Sequence, residues 1–420
     1  MPAKRTQKPS PRMHMHWIHS SRLHVVMYSM LLVATPFLML ANFLQEAIGK
    51  LSRASVELSG TSIPVVPVTA LIVATVLLIV FRAHITRLRI VAGAIAVVMI
   101  AMGQAINDYY FDHKFYDLQQ NWHYIAYTIF CFIVYRDLAP RGYPLSRIIL
   151  ITYLCGVSFS SFDEAFQLRI SNRAFEMGDI AKDAWGALIG LIVLLFGENR
   201  FGALALNWRP VRHSRLSDYF RQPSSLLILL FVLSYLLLCL SSLLGELIYA
   251  KLVIILTIIG FVVFFLLLHI SQYRGLKYGM LTLLLAGIGL QAYSFVKYRG
   301  DYIVHQQPGL VVYKGIPIFF FDVMIFPDGT FRPVDRKEHF RQRDRMFFLK
   351  QKTDIIVIGS GTHGEGGNGF PGKWPNQFLY NRYTKGGIQL IILKNPQACE
   401  LFNRLKREQK NVLFILHNTA

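Results

Sequence analysis

The segment Leu252–Leu268 reads LVIILTIIGFVVFFLLL, an apolar run without a charged residue. A helix needs about 20 mostly apolar residues to cross a lipid bilayer, and the wider segment 248–270 supplies them. Outward from this segment, the same criterion selects about nine candidate spans. They lie at about residues 23–46, 64–81, 88–107, 122–138, 147–163, 183–197, 225–244, 248–270 and 278–297. The sequence therefore predicts a mainly α protein built as a multi-span transmembrane helical bundle.

The charge of the chain is unusual for so apolar a sequence. The net charge is +20, yet only 16% of the residues are charged and 53% are hydrophobic. This apolar content excludes a disordered nucleic-acid-binding chain. Alternate loops between the predicted spans carry 18 Lys and Arg residues, and the loops on the other side carry 7. Because basic loops stay in the cytoplasm, this bias predicts a multi-pass protein of the inner (plasma) membrane with a cytoplasmic N-terminus.

Beyond the last span the sequence changes character. From about residue 300, apolar segments become shorter and glycine and proline more frequent. The predicted strands lie at 309–315, 316–326, 354–358, 388–393 and 412–416. Asn395 followed by Pro396 is typical of a helix start, so the alternation predicts a small α/β domain. An odd number of spans places this domain outside, whereas Lys297 and Arg299 favour inside, and both alternatives stay open.

Polar residues at membrane depth are the first candidates for function, because burying them in lipid is costly. Most of them lie around the fourth, fifth and sixth predicted spans. His123 and Tyr127 are four residues apart and therefore share a helix face. The other candidates are Asp163, Glu164, Gln167, Arg173, Asp179 and Asp183. Asp183 leads into Gly186 and Gly190, small residues that permit two helices to approach closely.

The order and spacing of these residues resemble the VanZ-like family. The pattern runs from His123-x-x-x-Tyr127 through Asp163-Glu164-x-x-Gln167 and Arg173 to Asp179-x-x-x-Asp183-x-x-Gly186-x-x-x-Gly190. The resemblance covers about residues 90–197. It implies a multi-span bacterial membrane protein linked to glycopeptide (teicoplanin-type) resistance, without a settled biochemical activity.

Two positions depart from the family pattern. Gln119-Gln120 stand where the family usually has Asp-Lys, and Asp183 stands where it usually has Asn. A charge pair between that Asp and Lys is therefore absent here. The departures weaken the transfer of mechanism more than the transfer of fold.

The residue types suggest several functions for this cluster. Glu164 would act as an acid or base and share protons with His123, while Arg173 would clamp a phosphate or carboxylate. The protein would then bind a lipid or lipid-linked envelope precursor, modify a lipid headgroup as an enzyme, or transport a solute with protons. In the structural alternative, Glu164, Arg173 and Asp179 pair with one another and hold a loop. No nucleophile–base pair is visible, so Glu164 and His123 are catalytic candidates only.

The C-terminal part, about residues 300–417, resembles the Mth938-like domain. The matching stretches are 321–329, 355–361 and the helical segment from Ala398-Cys399 to Phe402-Asn403-x-Leu405. The resemblance implies a small α/β module for assembly or interaction, and hence a protein partner. Cys399 and Asn403 occupy matching positions and share one helix face.

Three further patterns bear on cofactors, metals and polyanions. Gly359-Ser-Gly361-Thr-His-Gly364 fits a dinucleotide-binding fingerprint, but the glycine-rich continuation cannot form the required helix, which predicts a glycine loop and no cofactor. His14, His16 and His19 lack an anchored fourth ligand, so no metal is predicted. The basic run 336–352 is either a solvated surface or a contact with anionic membrane lipids. It lacks a base-stacking pattern, so no nucleic-acid partner is predicted.

These boundaries divide the chain into five parts. They are a basic cytoplasmic tail (1–22), two additional transmembrane helices (23–89), a VanZ-like transmembrane domain (90–197), a cytoplasmic loop with three further transmembrane helices (198–299) and an Mth938-like α/β domain (300–420).

Overall fold

The computed structural model describes residues 21–38, 43–58, 61–107, 117–169, 175–197, 212–300, 302–336, 339–340, 342–370, 376–381 and 385–418. Within these ranges the chain is mainly helical and ends in a sheet-containing domain. Arg173 and the histidines at 14, 16 and 19 lie outside the described residues, so the predictions made for them stay predictions.

The N-terminal part contains three helices and a hairpin. They are α1 (Ser21–Leu38), α2 (Phe43–Arg53), β1 (Ser55–Leu58), β2 (Thr61–Pro64) and α3 (Val65–Val80). The predicted span over 23–46 falls on two elements, α1 and the strongly amphipathic helix α2, and residues 39–42 between them lie outside the described residues. Ser52 in α2 accepts a hydrogen bond from the backbone of Leu118 at 3.1 Å, which ties this part to the central bundle.

Four helices form the centre of the bundle. They are α4 (Arg87–Asn107), α5 (Leu118–Leu138), α6 (Leu145–Gln167) and α7 (Met177–Gly197). Helix α7 is buried on nearly all sides, because its second half is apolar all round and small residues stand where its neighbours approach. Its Trp185 is fully buried and donates its indole N–H to the carbonyl oxygen of Met99 at 2.8 Å. The packing around α7 therefore fixes the positions of the other three helices.

The second half of the membrane part adds one short and three long helices. They are α8 (Asp218–Arg221), α9 (Pro223–Leu243), α10 (Ala250–Ile270) and α11 (Arg274–Lys297). Leu226 and Leu230 of α9 belong to the central core. Helix α11 buries none of its side chains, although most of them are apolar. A helix of this kind is stable only when lipid or a partner covers it.

Six helices among the described residues are long and apolar enough to cross a membrane. They are Arg87–Asn107, Leu145–Gln167, Met177–Gly197, Pro223–Leu243, Leu247–Ile270 and Arg274–Lys297. The predicted number of about nine is not reached by this criterion. Helices α1 and α3 provide only shorter apolar stretches, and α5 carries polar residues at both ends. The six helices indicate a membrane protein.

The C-terminal domain contains nine strands and two helices among the described residues. They are β3 (Ile303–Gln307), β4 (Leu310–Tyr313), β5 (Ile316–Phe319), β6 (Asp322–Ile325), β7 (Phe331–Val334), α12 (Gln342–Lys350), β8 (Ile355–Gly359), β9 (Asn376–Asn381), β10 (Gly386–Leu393), α13 (Asn395–Arg407) and β11 (Val412–Leu416). One sheet has the order β7-β6-β11-β8-β10-β9, and a second has the order β3-β4-β5. Strands β11, β8 and β10 are parallel neighbours.

Two details of the predicted strands and helix can be checked directly. The single strand predicted over 316–326 is wrong, because Phe320 has a left-handed φ of 60° that separates β5 from β6. The helix predicted after Asn395 is confirmed as α13, which buries Ala398, Phe402 and Leu405 against the large sheet. The predicted α/β layer is therefore present.

The C-terminal domain is attached to the bundle at two points. The backbone N–H of Gly245, just after α9, donates to Asp335 at 2.9 Å, and the N–H of Arg336 donates to the carbonyl oxygen of Leu243 at 3.0 Å. At the end of α11, Gln291 and Ser294 donate to the carbonyl oxygen of Gly315 at 2.8 and 2.9 Å. The domain therefore lies at the end of the bundle where α9 and α11 finish.

Candidate functional site

The polar cluster forms where α5 and α7 approach each other closely. A Cβ on Gly186 would lie 3.0 Å from the carbonyl oxygen of His123 and from the Cα of Tyr124. A Cβ on Gly190 would lie 2.9 Å from the carbonyl oxygen of Thr128. Because backbone atoms cannot move aside as a flexible side chain can, both positions require glycine. The close helix approach predicted from these glycines is confirmed.

His123 is held between two carboxylates of α7. Its Nδ1 lies 2.9 Å from Oδ1 of Asp183, and its Nε2 lies 3.6 Å from Oδ1 of Asp179. The two aspartates are one helical turn apart and flank the imidazole from the same face of α7. The structure thus brings three of the predicted site residues together, and both ring nitrogens of His123 face a carboxylate.

Lys182 belongs to the cluster, although the sequence pattern did not single it out. Its Nζ lies 2.5 Å from Oδ1 of Asp179, and its side chain is only 11% exposed. The sequence did contain a signal for it. Lys182 directly precedes an apolar predicted span and follows Asp179 by three residues, a spacing that places both side chains on one helix face. Lys182 compensates one of the carboxylate charges at this end of α7.

Ser160 of α6 joins a third helix to the cluster and was also missed. Its hydroxyl donates to Oδ2 of Asp183 at 2.7 Å and is fully buried. Tyr127, one turn after His123, is buried in the core that these helices share. Ser160 donates to Asp183 rather than to His123, so the three residues do not form the Ser–His–Asp arrangement of hydrolases.

Glu164 is occupied by local contacts. Its Oε1 accepts a hydrogen bond from the side-chain amide of Gln167 at 2.6 Å, and its Oε2 accepts the backbone N–H of Glu176 at 3.0 Å. The second contact joins the end of α6 to the start of α7. This supports the structural alternative in part, since Glu164 holds the connection between these helices. Its predicted partner Arg173 lies outside the described residues.

Asp163 differs from its neighbour Glu164. Its Oδ2 has a long contact of 3.5 Å with Gln167, and its Oδ1 is buried without a hydrogen-bond partner among the described residues. Electrostatic interactions connect it with Asp183, His123 and Asp179. A buried oxygen without a donor is costly. Asp163 is therefore the carboxyl group of the cluster whose hydrogen-bonding capacity the described residues leave least satisfied.

Carboxyl groups outnumber basic groups in the cluster. Among the described residues, Lys182 and His123 face four carboxyl groups, which belong to Asp163, Glu164, Asp179 and Asp183. A cluster rich in carboxyl oxygens offers acceptors to amines and hydroxyls and few donors to a phosphate. The geometry therefore shifts the expected ligand group from a phosphate toward amines and hydroxyls.

The cluster and the C-terminal domain lie at the same end of the bundle. Met177 and Ile180, at the start of α7, pack against Leu244. The next residue, Gly245, donates its N–H to Asp335 of the domain at 2.9 Å. A continuous set of contacts therefore runs from the cluster to the domain.

The other predicted residues have structural surroundings. Asn403 accepts the backbone N–H of Ile303 and donates to its carbonyl oxygen, both at 2.8 Å, and so holds β3 against α13. Cys399 is buried, and burial raises the pKa of its thiol to about 12. The glycine loop after β8 is confirmed, with left-handed φ angles of 89° at Gly361 and 90° at Gly364.

One end of the basic run 336–352 lies at the junction between domain and bundle. The guanidinium of Arg336 lies 5.2 Å from the ring centre of Tyr249, so this end of the run contributes to the attachment of the domain. The part of the chain that the structure describes contains no group of three or more His, Cys, Asp or Glu residues that could hold a metal ion.

Comparison with known proteins finds a partial structural match. No family model matches the chain, and no curated protein matches it. The chain is similar to a solved structure titled "MT938", with 21% sequence identity and a TM-score of 0.22. The match covers 28% of this chain and 98% of that chain. The likeness to an Mth938-like protein is therefore weak and partial, and the VanZ-like resemblance stays a prediction.

Proposed function

We propose that the chain is an integral membrane protein of the bacterial cell envelope that binds a lipid or lipid-linked envelope precursor. The proposal takes about nine spans, the six described above together with α1, α3 and α5. With the N-terminus in the cytoplasm, this number puts the polar cluster and the α/β domain on the outer face of the inner membrane. On the basis of the VanZ-like resemblance, the proposal also includes a role in glycopeptide tolerance.

The observation that carries the proposal is the unpartnered oxygen of Asp163 in a carboxyl-rich cluster, among the residues that the structure describes. The amine of a peptide or the hydroxyls of a sugar would donate to this oxygen, and a charge-assisted hydrogen bond of this kind is strong. Trp122 and Phe162, which adjoin His123 and Asp163 in the chain, are exposed apolar side chains. They would face the lipid part of the same ligand.

The geometry favours binding over catalysis. Both ring nitrogens of His123 face carboxylates, and Glu164 accepts two hydrogen bonds from the protein itself. Neither group is directed at a substrate, as a general acid or base must be. The interpretation of the chain as an enzyme acting on a lipid headgroup therefore has less support.

The test compares two variants that each remove one carboxylate. Asp163→Asn changes the unpartnered group of the cluster, and Asp137→Asn changes an aspartate at the opposite end of α5 that pairs with Arg141. Lipid extracted from each purified protein is identified and quantified by mass spectrometry. We expect a defined lipid-linked species with the wild type and Asp137→Asn, and about a tenfold depletion with Asp163→Asn. Equal amounts from all three proteins would contradict the proposal.

Proton-coupled transport is the second candidate, favoured by the connectivity of the cluster. Contacts from 2.5 to 3.6 Å link three helices through Lys182, Asp179, His123, Asp183 and Ser160. In proteoliposomes with an internal pH dye, this function predicts proton movement that His123→Gln abolishes and Asp137→Asn leaves intact. No proton movement with the wild type, under an imposed gradient and candidate envelope solutes, would exclude it.

A further inference from the structure

A basic cavity lies where α11 meets the C-terminal domain. It has a volume of about 550 Å³ and is lined by both the end of the helix and the domain. Four of its lining residues are cationic, namely Arg299, Lys314, Lys406 and Lys410. None of its described lining residues is acidic. A concave site with several cations and no carboxylate among its described lining residues is suited to an anion such as a phosphate.

The nearby carboxylate of Asp328 does not neutralise this cavity. Asp328 accepts hydrogen bonds from the backbone and hydroxyl of Thr330 at 2.8 and 2.6 Å, and these bonds lower the pKa of its carboxyl group. The Nζ of Lys406 donates to the carbonyl oxygen of Pro327 at 2.7 Å, so it is held at the wall by a neutral group. Its positive charge is therefore available to a bound anion.

An apolar groove continues from the cavity along α11. It has a volume of about 610 Å³, and its lining includes Leu284, Gly287, Ile288 and Ile316. Phe295 lines both the groove and the basic cavity, so the two spaces adjoin at this side chain. A Cβ on Gly287 would meet no atom within 4 Å, which leaves room beside the helix. The cavity and the groove together form one composite site, which is basic at one end and apolar along its length.

Its position matches the boundary between lipid and water. Helix α11 is long and apolar enough to span a membrane and buries none of its side chains. Lys297 and Arg299 follow at its end, as is usual for cations at a membrane interface. The groove therefore lies at hydrocarbon depth and the cavity at headgroup depth.

We propose that this composite is a binding site for one anionic phospholipid. The phosphate occupies the basic cavity, with Arg299 and Lys410 as its main partners, and one acyl chain lies in the groove beside Gly287. The site shares no residue with the polar cluster and does not depend on the function proposed for that cluster. A lipid phosphate and free phosphate share this chemistry, and the experiment separates them.

The experiment measures lipid binding to the full chain in detergent. Fluorescent phosphatidylglycerol and phosphatidylcholine with the same acyl chains are the probes, and inorganic phosphate is the competitor. Arg299→Gln/Lys410→Gln removes two cations of the cavity, and Lys352→Gln/Lys394→Gln removes two exposed cations elsewhere on the domain. Gly287→Phe fills the groove where no protein atom obstructs it. Asp163→Asn serves as the variant of the other site.

The expected results distinguish binding of the lipid headgroup from binding of the acyl chain. Phosphatidylglycerol binds about tenfold tighter than phosphatidylcholine, the cavity variant loses about tenfold or more, and the matched surface variant changes by less than about twofold. Gly287→Phe weakens the diacyl probe and leaves its glycerophosphate headgroup analogue unaffected, and Asp163→Asn binds like the wild type. Equal loss in both double variants would overturn the proposal. Displacement by phosphate with no effect of Gly287→Phe would assign the cavity to a soluble anion and also overturn it.

Discussion

The described part of the chain contains two His–Asp pairs with nearly the same geometry and different surroundings. In the bundle, Nδ1 of His123 lies 2.9 Å from Asp183, and in the C-terminal domain Nδ1 of His417 lies 2.8 Å from Asp322. The side chain of His123 is 24% exposed and its second nitrogen faces Asp179. The side chain of His417 is 5% exposed.

The second pair is sealed inside the domain. The ring of His417 packs against that of Phe340, with 5.5 Å between centroids, and a Cβ on Gly366 would lie 2.8 Å from its Cδ2. Asp322 also accepts the backbone N–H of Asn418 at 2.9 Å, so it joins β6 to the end of β11. The groups around a His–Asp pair, rather than the pair itself, therefore distinguish a structural tie from a candidate ligand site.

The largest expected effect on folding stability comes from removing the buried pair of His417 and Asp322. Asp322→Ala leaves His417 and a backbone N–H without their buried acceptor, which costs about 3–5 kcal/mol of folding free energy. Hydrogen–deuterium exchange of the full chain should show strands β6 and β11 losing protection. Asp163→Asn is the control, with protection of these strands equal to the wild type. Unchanged exchange in Asp322→Ala would show that the pair is not a structural tie.

The next largest effect on stability concerns the close packing of α5 against α7, which brings His123 and Asp183 together. Gly190→Val places a side chain against the backbone of Thr128 and forces α5 away from α7, at a cost of about 1–3 kcal/mol. Gly93→Val is the matched control, because a Cβ there meets no atom within 4 Å. Thermal unfolding in detergent should give a lower midpoint for Gly190→Val alone. Equal midpoints would mean that the two helices are not in close contact.

A smaller effect is expected where Asn403 holds β3. Asn403→Ala removes two hydrogen bonds to Ile303, which together contribute about 1–3 kcal/mol. The amide protons of β3 should exchange faster while those of β11 stay protected. Glu400→Ala, a change at an exposed position of the same helix, should affect neither strand. Equal exchange in all three proteins would contradict this role.

The smallest effect concerns Cys399. Burial disfavours the charged thiolate and raises its pKa to about 12, so the thiol is almost entirely protonated at pH 8 and reacts slowly. Peptide mass mapping of the folded chain after iodoacetamide treatment should show Cys399 unmodified, and modified after denaturation. Complete modification of the folded chain would indicate an exposed or activated thiol.

Much of the architecture could be predicted from the sequence, because it depends on local patterns. Apolar runs predicted most of the long helices, and Asn395-Pro396 predicted the start of α13. The break at Phe320 could not be predicted, since its left-handed backbone accompanies the change from one sheet to the other.

The sequence predicted which residues belong to the candidate site better than it predicted the contacts between them. His123, Asp179 and Asp183 were selected by residue type and spacing, and the structure brings them together. Lys182 and Ser160 were missed because their roles depend on which helix faces which. The unpartnered oxygen of Asp163 likewise follows from the packing of α6 against α7, and no local pattern reports it.

The most direct test of the central claim is an affinity measurement on Asp163→Asn in lipid nanodiscs. The probe is a polyprenyl-diphosphate-linked saccharide carrying a peptide amine, and thermal unfolding is recorded on the same samples. We predict that Asp163→Asn binds about tenfold more weakly than the wild type, with an unchanged or higher unfolding midpoint because the buried Oδ1 makes no hydrogen bond with the described residues that the change could remove. Equal affinity of the two proteins, or a weaker affinity that only follows a loss of stability, would contradict it.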